Sequence, residues 1–475
     1  SFANTDRFRT SSLVTRLTGD VTNIQNSIST GMRPACRAPV MMITAIAVSF
    51  YINKELAVIF LIAAPVLGIL LFLIISHVRP LYARMQKAVD LVNRIIQENL
   101  TAIRVVKSYV RGDYELSKFE EVNAGLQTTS ERAFRVASLN MPAMQFVMYT
   151  TILCILWFGG NLILAGGMKV GELTGFLSYV LQVLNSLMMI SNVFMMFTRS
   201  LTSWKRITEV MDEKIDITED DARDITVEKG DIEFDHVYFK YSSQAKEYVL
   251  SDISLKMEAG QTIGIIGRTG AAKTTLVQLI PRLYDVTEGQ IRIDGYPVQE
   301  YPLKPLRDAI AMVLQKNTLF SGTVRDNLRW GKEDATEEEI EEACRIACVD
   351  EFIGRLENGY DTDLGQGGVN VSGGQKQRLC IARALLKKPK VLILDDSTSA
   401  VDTATEAKIR EGMAKSLPGT TKIIIAQRIS SVAHADKIVI LEDGKIHATG
   451  THEELLKNNL IYQEIYQSQQ EGADL

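Results

Sequence analysis

Two adjacent carboxylates follow an apolar run in the sequence VLILDDSTSAVDTATE, which starts at residue 391. Val391 to Leu394 shows no polar alternation, and this is typical of a strand buried in a parallel sheet. Asp395 and Asp396 stand at the carboxyl end of that strand. A charged strand end also serves solubility, so the pair indicates chemistry only if a phosphate site lies elsewhere in the chain.

Such a phosphate site is indicated by GRTGAAKTT at residues 267–275, directly after an apolar run at residues 262–266. A glycine-containing turn from strand into helix points backbone N–H groups at an anion. Lys273 would contact the β- and γ-phosphates of a nucleotide, and Thr274 would bind Mg²⁺. The strict pattern has glycine where this chain has Ala272, and the added methyl group would crowd the backbone's approach to phosphate.

Asp395 completes the pattern of a nucleotide site, because an aspartate after a buried strand holds Mg²⁺ through water. This combination is common to many P-loop ATPases. The sequence VSGGQKQR at residues 371–378 narrows the choice, since a Ser-Gly-Gly turn that opens a helix is a second anion-binding end. Alone, it would be a plain loop with an N-cap serine.

The elements that position these residues begin with an apolar half. The stretches at residues 35–52, 56–78, 141–165 and 173–198 are each of a length that crosses a bilayer. A long basic segment separates the second stretch from the third, and the positive-inside tendency places it in the cytoplasm. The chain after residue 198 is then cytoplasmic as well. The helical pattern of the basic segment predicts membrane helices that continue past the bilayer.

The remainder of the chain has a soluble pattern. We expect a transmembrane domain over residues 1–203, an acidic linker over residues 204–229 and a soluble domain over residues 230–475. Short strands alternate with helical stretches in the last of these, which predicts an α/β domain with a largely parallel sheet. The formal net charge of −5 does not favour a nucleic-acid partner. The five cysteines are too scattered for a disulfide framework.

These motifs and their order resemble the ABC transporters. The soluble half is similar to their nucleotide-binding domain, and nearly the whole chain is similar to an ABC exporter half with the membrane domain first. The resemblance implies a helical transmembrane domain of the type I exporter kind, followed by an α/β P-loop nucleotide-binding domain. Residues 10–21 and 98–109 resemble its intracellular regions. Four of the usual six spans are therefore expected, in a chain that lacks the first part of the domain.

The resemblance also implies the ligands of ATP and Mg²⁺. Tyr241 matches the aromatic residue that stacks on adenine, Gln315 matches a glutamine that contacts Mg²⁺, and Asp402 matches the D-loop. The predicted ATP-binding set is Tyr241, Gly267, Arg268, Thr269, Gly270, Ala271, Ala272, Lys273, Thr274, Thr275, Gln315, Ser372, Gly373, Gly374, Gln375 and Asp402. The predicted metal set is Thr274, Gln315 and Asp395. In the family, each ATP lies between one P-loop and the signature (here residues 372–375) of a second domain.

Two further positions depart from the family pattern. Asp396 stands where a glutamate usually acts as general base, and aspartate is one methylene shorter in a reaction that needs hydrogen-bond reach of about 2.6–3.2 Å. Gln427 stands in place of the switch histidine and cannot carry a positive charge. Together with Ala272, both belong to the site built on this chain's own P-loop. The pattern resembles the degenerate subunit of a heterodimeric bacterial multidrug-type exporter.

The function implied is ATP-driven export of a substrate across the cell membrane by a dimer, with hydrolysis mainly at the site that the partner's P-loop completes. Expected partners are a second homologous half-transporter, the lipid bilayer and a small-molecule, lipid or peptide substrate. Two alternatives stay open: a homodimeric exporter with slow but active sites, and a membrane-anchored ATP-binding regulator without transport. The apolar stretches exclude a soluble ATPase of the DNA-repair kind.

The last apolar stretch carries a polar stripe. Its residues recur at spacings of three and four, which places them on one helical face: Gln182, Asn185, Met189, Asn192 and Met196. Amides in a membrane helix usually face the bundle interior, and flexible methionines suit varied apolar partners. We expect this face to line the substrate pathway, with a helix-packing seam as the alternative.

Overall fold

The computed structural model describes residues 2–8, 10–242, 244–397 and 401–471. Contacts divide the chain into two compact units. The helical unit is Ser11–Asp212, and the α/β unit joins Ser1–Thr10 to Glu213–Leu475. The first helix, α1 (Phe2–Arg7), therefore belongs to the α/β unit.

The helical unit consists of long helices with short connections. Its first stretch is α2 (Thr10–Thr15), a π-helical turn at Arg16–Asp20, α3 (Val21–Asn26), a second π-helical turn at Ser27–Gly31, and α4 (Met32–Ile52). The helices that follow are α5 (Lys54–Thr101), α6 (Ile103–Ser108), α7 (Gly112–Ser138), α8 (Asn140–Leu164) and α9 (Val170–Met211). Asn53 separates α4 from α5 and caps α5, because its side chain accepts the N–H groups of Glu55 and Leu56 at 2.9 and 3.1 Å.

Four helical stretches in the described residues are long and apolar enough to cross a membrane. They are Thr10–Ile52, Pro65–Thr101, Gly112–Leu164 and Val170–Met211. These stretches contain the predicted spans at residues 35–52 and 173–198 and overlap those at residues 56–78 and 141–165. They confirm the helical transmembrane domain. The 48 residues of α5 correspond to about 70 Å of helix, which exceeds a hydrocarbon core of about 30 Å. The predicted continuation of this helix beyond the bilayer follows from its length.

Helix α9 extends further than its apolar stretch. It ends at Met211, so residues 204–211, expected in the linker, are helical. The extension is fastened by polar contacts to the start of the helical unit. Ser203 donates a 2.8 Å hydrogen bond to buried Asp20, and Arg206 lies 3.4 Å from the other oxygen of the same carboxylate. A buried carboxylate needs such partners, and both are supplied by α9.

The α/β unit alternates strands and helices after α1. Its elements are β1 (Ile232–Phe239), β2 (Leu250–Met257), β3 (Thr262–Ile266), α10 (Lys273–Gln278), β4 (Glu288–Ile293), β5 (Tyr296–Pro297), α11 (Leu303–Asp308), β6 (Ile310–Val313), α12 (Val324–Arg329), α13 (Glu337–Ile346), α14 (Asp350–Ile353), α15 (Gly373–Leu386), β7 (Val391–Asp395), α16 (Thr403–Ser416), β8 (Thr421–Ile425), β9 (Lys437–Glu442), β10 (Lys445–Gly450), α17 (His452–Asn458) and α18 (Leu460–Glu471).

In the described part of the chain, six strands form one sheet in the order β10-β9-β3-β8-β7-β6. All neighbours are parallel except β10 and β9, which confirms the largely parallel α/β fold. Strands β3 and β7 both pair with β8, so the P-loop and the two aspartates leave the same edge of the sheet. A second, antiparallel sheet has the order β2-β1-β4-β5, and the sequence pattern does not predict it.

Burial of β7 on both faces explains its unbroken apolar sequence. Val391 and Ile393 belong to one buried apolar cluster, and Leu392 and Leu394 belong to the other. Successive side chains of a strand point to opposite faces, so a strand covered on both sides has no position for a polar residue. The apolar sequence ends at Asp395, the last residue of β7, which lies at the carboxyl edge of the sheet.

Candidate nucleotide-binding site

The P-loop connects β3 to α10 through residues that leave little room for side chains. A Cβ atom on Gly267 would lie 2.1 Å from the carbonyl oxygen of Leu441, so this position requires glycine. Gly270 has φ +90°. Ala272, immediately before α10, is also left-handed, with φ 67° and ψ 24°. This conformation costs a residue with a Cβ about 1–2 kcal/mol. The loop therefore forms as predicted, with strain at the position where the strict motif has glycine.

The predicted phosphate-binding residues of this loop lie together. Lys273 donates hydrogen bonds to the carbonyl oxygens of Gly267 and Arg268, at 2.7 and 3.0 Å. The turn itself is closed by a 3.1 Å bond from the N–H of Ala271 to the same Arg268 carbonyl, and it contains Thr269. Burial lowers the pKa of Lys273, and the charges of the two aspartates at the end of β7 oppose this shift.

The predicted metal ligands of the P-loop and of β7 are in direct contact. The hydroxyl of Thr274 donates a 2.8 Å hydrogen bond to Oδ2 of Asp395. Burial raises the pKa of Asp395, while the bond from Thr274 lowers it. Hydroxyl and carboxylate oxygens are the donors that Mg²⁺ prefers. The pair therefore fits a magnesium ion, which would polarise phosphate oxygens when bound.

Asp396 is held by amide groups from three segments of the chain. Its Oδ2 accepts hydrogen bonds from the side chains of Gln427 and, at 3.3 Å, of Gln315. Its backbone carbonyl accepts a bond from Gln377 at 3.4 Å. The residue has φ +50° and is buried. The structure thus brings the predicted base and switch positions together, and places Gln315 beside Asp396.

Tyr241 belongs to an aromatic group next to the P-loop. Its hydroxyl lies 2.9 Å from the hydroxyl of Thr275, and its ring packs edge-to-face against Phe239 and Tyr284. The ring is about half exposed, so one surface is open to a flat ligand such as adenine. The hydroxyl of Tyr284 donates a 2.9 Å bond to Asp6, near the end of α1. Phe239 and Tyr284 belong to no binding motif, and the sequence therefore does not predict them as site residues.

The residues of the signature begin a helix, as predicted. Ser372 is the N-cap of α15, with its hydroxyl accepting the N–H of Gln375 at 3.3 Å, and the Gln375 side chain accepting the N–H of Ser372 at 2.8 Å. Gly373 and Gly374 form the first turn between them. This reciprocal capping box fixes the helix start, leaving its N-terminal backbone as a candidate contact for an anion.

Asp402 caps α16, because its carboxylate accepts the N–H of Thr405 at 2.9 Å. Backbone hydrogen bonds lower the pKa of Asp402. Residues 398–400, which precede it in the predicted D-loop, lie outside the described residues. In the structure, Asp402 and the signature therefore start helices. Direct contacts instead link the P-loop, Tyr241, Gln315, Asp395, Asp396 and Gln427.

Comparison with known proteins identifies the family. Residues 1–187 match the ABC transporter transmembrane region and residues 250–399 match the ABC transporter family. The chain is 42% identical to the uncharacterized ABC transporter ATP-binding protein YfiB of Bacillus subtilis, over 100% of this chain and 82% of that protein. It is 35% identical to the ATP-dependent lipid A-core flippase of Desulfotalea psychrophila, over 97% of this chain and 80% of the flippase.

A solved structure shows the same fold. The structure of a bacterial Atm1-family ABC exporter with ATP bound matches with a TM-score of 0.82 and 27% identity, over 98% of this chain and 82% of that chain. The chain belongs to the ABC transporter family and is an exporter half-transporter, in which a membrane-spanning domain is fused to an ATP-binding domain. This confirms the predicted family and the multi-pass membrane location. The ATP-binding domain of the family implies that the chain binds ATP, with Mg²⁺ typical of such domains.

Proposed function

We propose that this chain is one subunit of an exporter dimer whose own P-loop site holds ATP and hydrolyses it slowly. The observation that carries the proposal is the double amide contact to Asp396, from Gln427 and Gln315. A general base must lie within hydrogen-bond reach of the attacking water. Both amides bond to the same carboxylate oxygen, so a water molecule at that oxygen competes with two fixed donors.

The residue types at this point also favour slow hydrolysis. The side chain of aspartate is one methylene shorter than that of the glutamate usual in the family. In addition, the side-chain amides of Gln315 and Gln427 bind the carboxylate of Asp396. Gln427 donates a hydrogen bond but has no protonated form that would place positive charge near the transferred phosphate. Stabilisation of charge that develops in the transition state is therefore weaker than with histidine.

Binding of ATP is supported by the parts of the site that keep the family pattern. Lys273 lies over the P-loop, and Thr274 contacts Asp395. We assign Lys273 to the phosphates, Thr274, Asp395 and Gln315 to Mg²⁺, and Tyr241 to adenine. Binding of a nucleotide by these residues does not require a general base, which acts only in hydrolysis. The proposal therefore separates binding, which the site keeps, from hydrolysis, which it performs poorly.

The signature supports the assignment of most hydrolysis to the site of the partner. Its capping box is complete, so α15 begins with an ordered serine and two glycines. In a head-to-tail dimer this helix start would serve the site of the partner, where most hydrolysis would take place. A homologous partner with the usual glutamate and histidine would then drive export, with this chain supplying a signature and a retained ATP.

An analysis of the nucleotide that the transporter retains tests whether this site binds ATP but hydrolyses it slowly. The assembled transporter would be incubated with Mg²⁺ and radiolabelled ATP, desalted rapidly during turnover, and analysed for bound ATP and ADP. We expect one intact ATP per dimer, lost in the Lys273→Ala variant, and a second homologous chain in the purified assembly. Retention of ADP alone would contradict slow hydrolysis at this site. Two identical chains that each retain ATP would instead identify the homodimer.

A further inference from the structure

Helix α18, the last in the described residues, ends beside the loop that carries Gln427. In α18, the side chain of Gln469 donates a 2.8 Å hydrogen bond to the backbone carbonyl of Gln427. The same amide accepts a 2.9 Å bond from the backbone N–H of Ile429. A side-chain amide can donate and accept at once, whereas a lysine only donates and a carboxylate only accepts. Gln469 therefore satisfies both polar groups of this segment, as a neighbouring strand would.

Helix α18 is anchored on the face that carries Gln469. Tyr462, seven residues earlier, is fully buried, and its hydroxyl forms a 2.7 Å hydrogen bond with Nδ1 of His452. Ile465 and Tyr466 pack against the larger apolar cluster of the α/β unit. Spacings of three, four and seven place these side chains on one helical face with Gln469. Its amide is thus presented from a fixed helix.

The segment that Gln469 binds also contacts Asp396, the candidate base position, through the side chain of Gln427. The backbone carbonyl of Gln427 is bonded to Gln469, while its side chain is bonded to Asp396. Without Gln469, the carbonyl of Gln427 and the N–H of Ile429 would bond to water, and the segment would gain conformational freedom. The amide of Gln427 would then spend less time at Asp396.

We propose that Gln469 is a positioning residue for this ATP site, through which α18 holds the Gln427 loop and slows the release of bound ATP. The inference rests on the proposed function, because it concerns the loop next to the retained nucleotide. Helix α18 would then contribute to the ATP site in a way that neither the P-loop nor the signature does. Gln469 acts through Gln427, because within the described residues its side-chain amide bonds to the backbone of Gln427 and Ile429.

The test compares neighbouring glutamines of one helix. The probe is a fluorescent, non-hydrolysable ATP analogue with Mg²⁺, and its dissociation rate from the assembled transporter is measured by stopped flow. Removal of two hydrogen bonds in Gln469→Ala is expected to speed dissociation about tenfold. Gln470→Ala is the matched control, since its amide bonds only the hydroxyl of Tyr466 among the described residues. It should stay within about twofold of the unaltered protein.

A double-mutant cycle distinguishes positioning from general support of the fold. If Gln469 acts through Gln427, the pair Gln469→Ala with Gln427→Ala should release the analogue no faster than Gln427→Ala alone. Effects that multiply, or an unchanged rate in Gln469→Ala, would overturn the proposal. Gln469→Glu retains the length and the acceptor for Ile429 but repels the carbonyl of Gln427, and it replaces the alanine variant if that one unfolds.

The choice of probe keeps this proposal separate from the proposed function. Because the analogue is not hydrolysed, the cycle measures coupling between Gln469 and Gln427 whether the site is fast or slow. Rapid hydrolysis in the retention experiment would contradict the slow site and leave the coupling measurable. Additive effects in the cycle would contradict the positioning role and leave the retained ATP unaffected.

Discussion

Two residues of the candidate site adopt a left-handed backbone conformation without being glycine. Ala272 has φ 67° and Asp396 has φ 50°, one on each of the two segments that leave the carboxyl edge of the sheet. Such residues persist where the surrounding structure determines them, and they cluster at sites of ligand binding. Asp396 is fastened by amide bonds, and Ala272 is fixed between the P-loop turn and the start of α10.

Replacing Ala272 by glycine should relieve strain. Glycine removes about 1–2 kcal/mol of left-handed strain but adds about 0.5–1 kcal/mol of chain entropy in the unfolded state. We therefore expect Ala272→Gly to stabilise the α/β unit by about 0.5–1 kcal/mol and to tighten Mg²⁺-ATP binding. Thermal unfolding and equilibrium binding of the purified protein measure the two effects.

The matched control is the preceding residue. Ala271→Gly adds the same chain entropy at a buried position but removes no left-handed strain, so it should lower the melting temperature. A lower melting temperature in Ala272→Gly as well would show that its backbone strain is not a cost to the fold.

At this scale the sequence predicts motif residues and misses those that motifs do not contain. The contact between Thr274 and Asp395 follows from the two parallel strands that end at one edge. The contacts of Gln315 and Gln427 with Asp396 join segments far apart in the chain. Gln377 lies inside the segment at residues 371–378 but has no predicted role, and Gln469 lies in a helix where a glutamine has no distinctive pattern. Their roles depend on tertiary contacts that spacing does not encode.

Among the elements, strands with uniform burial are the ones the sequence predicts well. Strands β3 and β7 are covered on both faces and have the predicted bounds to within a residue. The antiparallel sheet is different, because β1 and β2 pair with register shifts. His236 and Asp252 adopt positive φ within these strands, so the alternation of side chains is interrupted along each of them. Polar contacts to Asp20 likewise extend α9 beyond its apolar sequence.

The polar stripe of α9 divides into packed ends and an exposed middle. Gln182 donates a 3.3 Å bond to the backbone of Met41, and Met196 lies where a Cβ on Gly31 would be only 1.9 Å away. Asn185, Met189 and Asn192 are exposed in the isolated chain. The ends therefore serve helix packing, while the role of the middle as a substrate pathway stays a prediction.

Bulky substitutions test that middle section. Asn185→Trp and Met189→Trp should change which substrates stimulate ATPase activity, because the side chains would narrow a pathway, and should leave basal activity and assembly intact. Val183→Trp is the control, since Val183 is buried and an indole there should destabilise the bundle. Loss of assembly in all three variants, with unchanged substrate preference, would identify a packing seam.

For the whole molecule, we predict a dimer with unequal ATP sites. This chain combines a P-loop site that departs from the family pattern with an ordered signature helix, so under the proposed function its two contributions to catalysis would differ. ATP at its own site would keep the two ATP-binding domains associated, and hydrolysis at the other site would supply the cycle. The hydrolysis that drives export would then depend mainly on the catalytic residues of the partner.

The most direct measurement is the ATPase rate of the assembled transporter carrying Asp396→Asn. Asparagine keeps the size of the side chain and an oxygen for the amide of Gln427, but it removes the carboxylate as a base. A rate within about twofold of the unaltered transporter is predicted, together with near-complete loss when the partner's corresponding glutamate is replaced. A loss on the order of 100-fold from Asp396→Asn alone, the size expected for a working general base, would contradict the account.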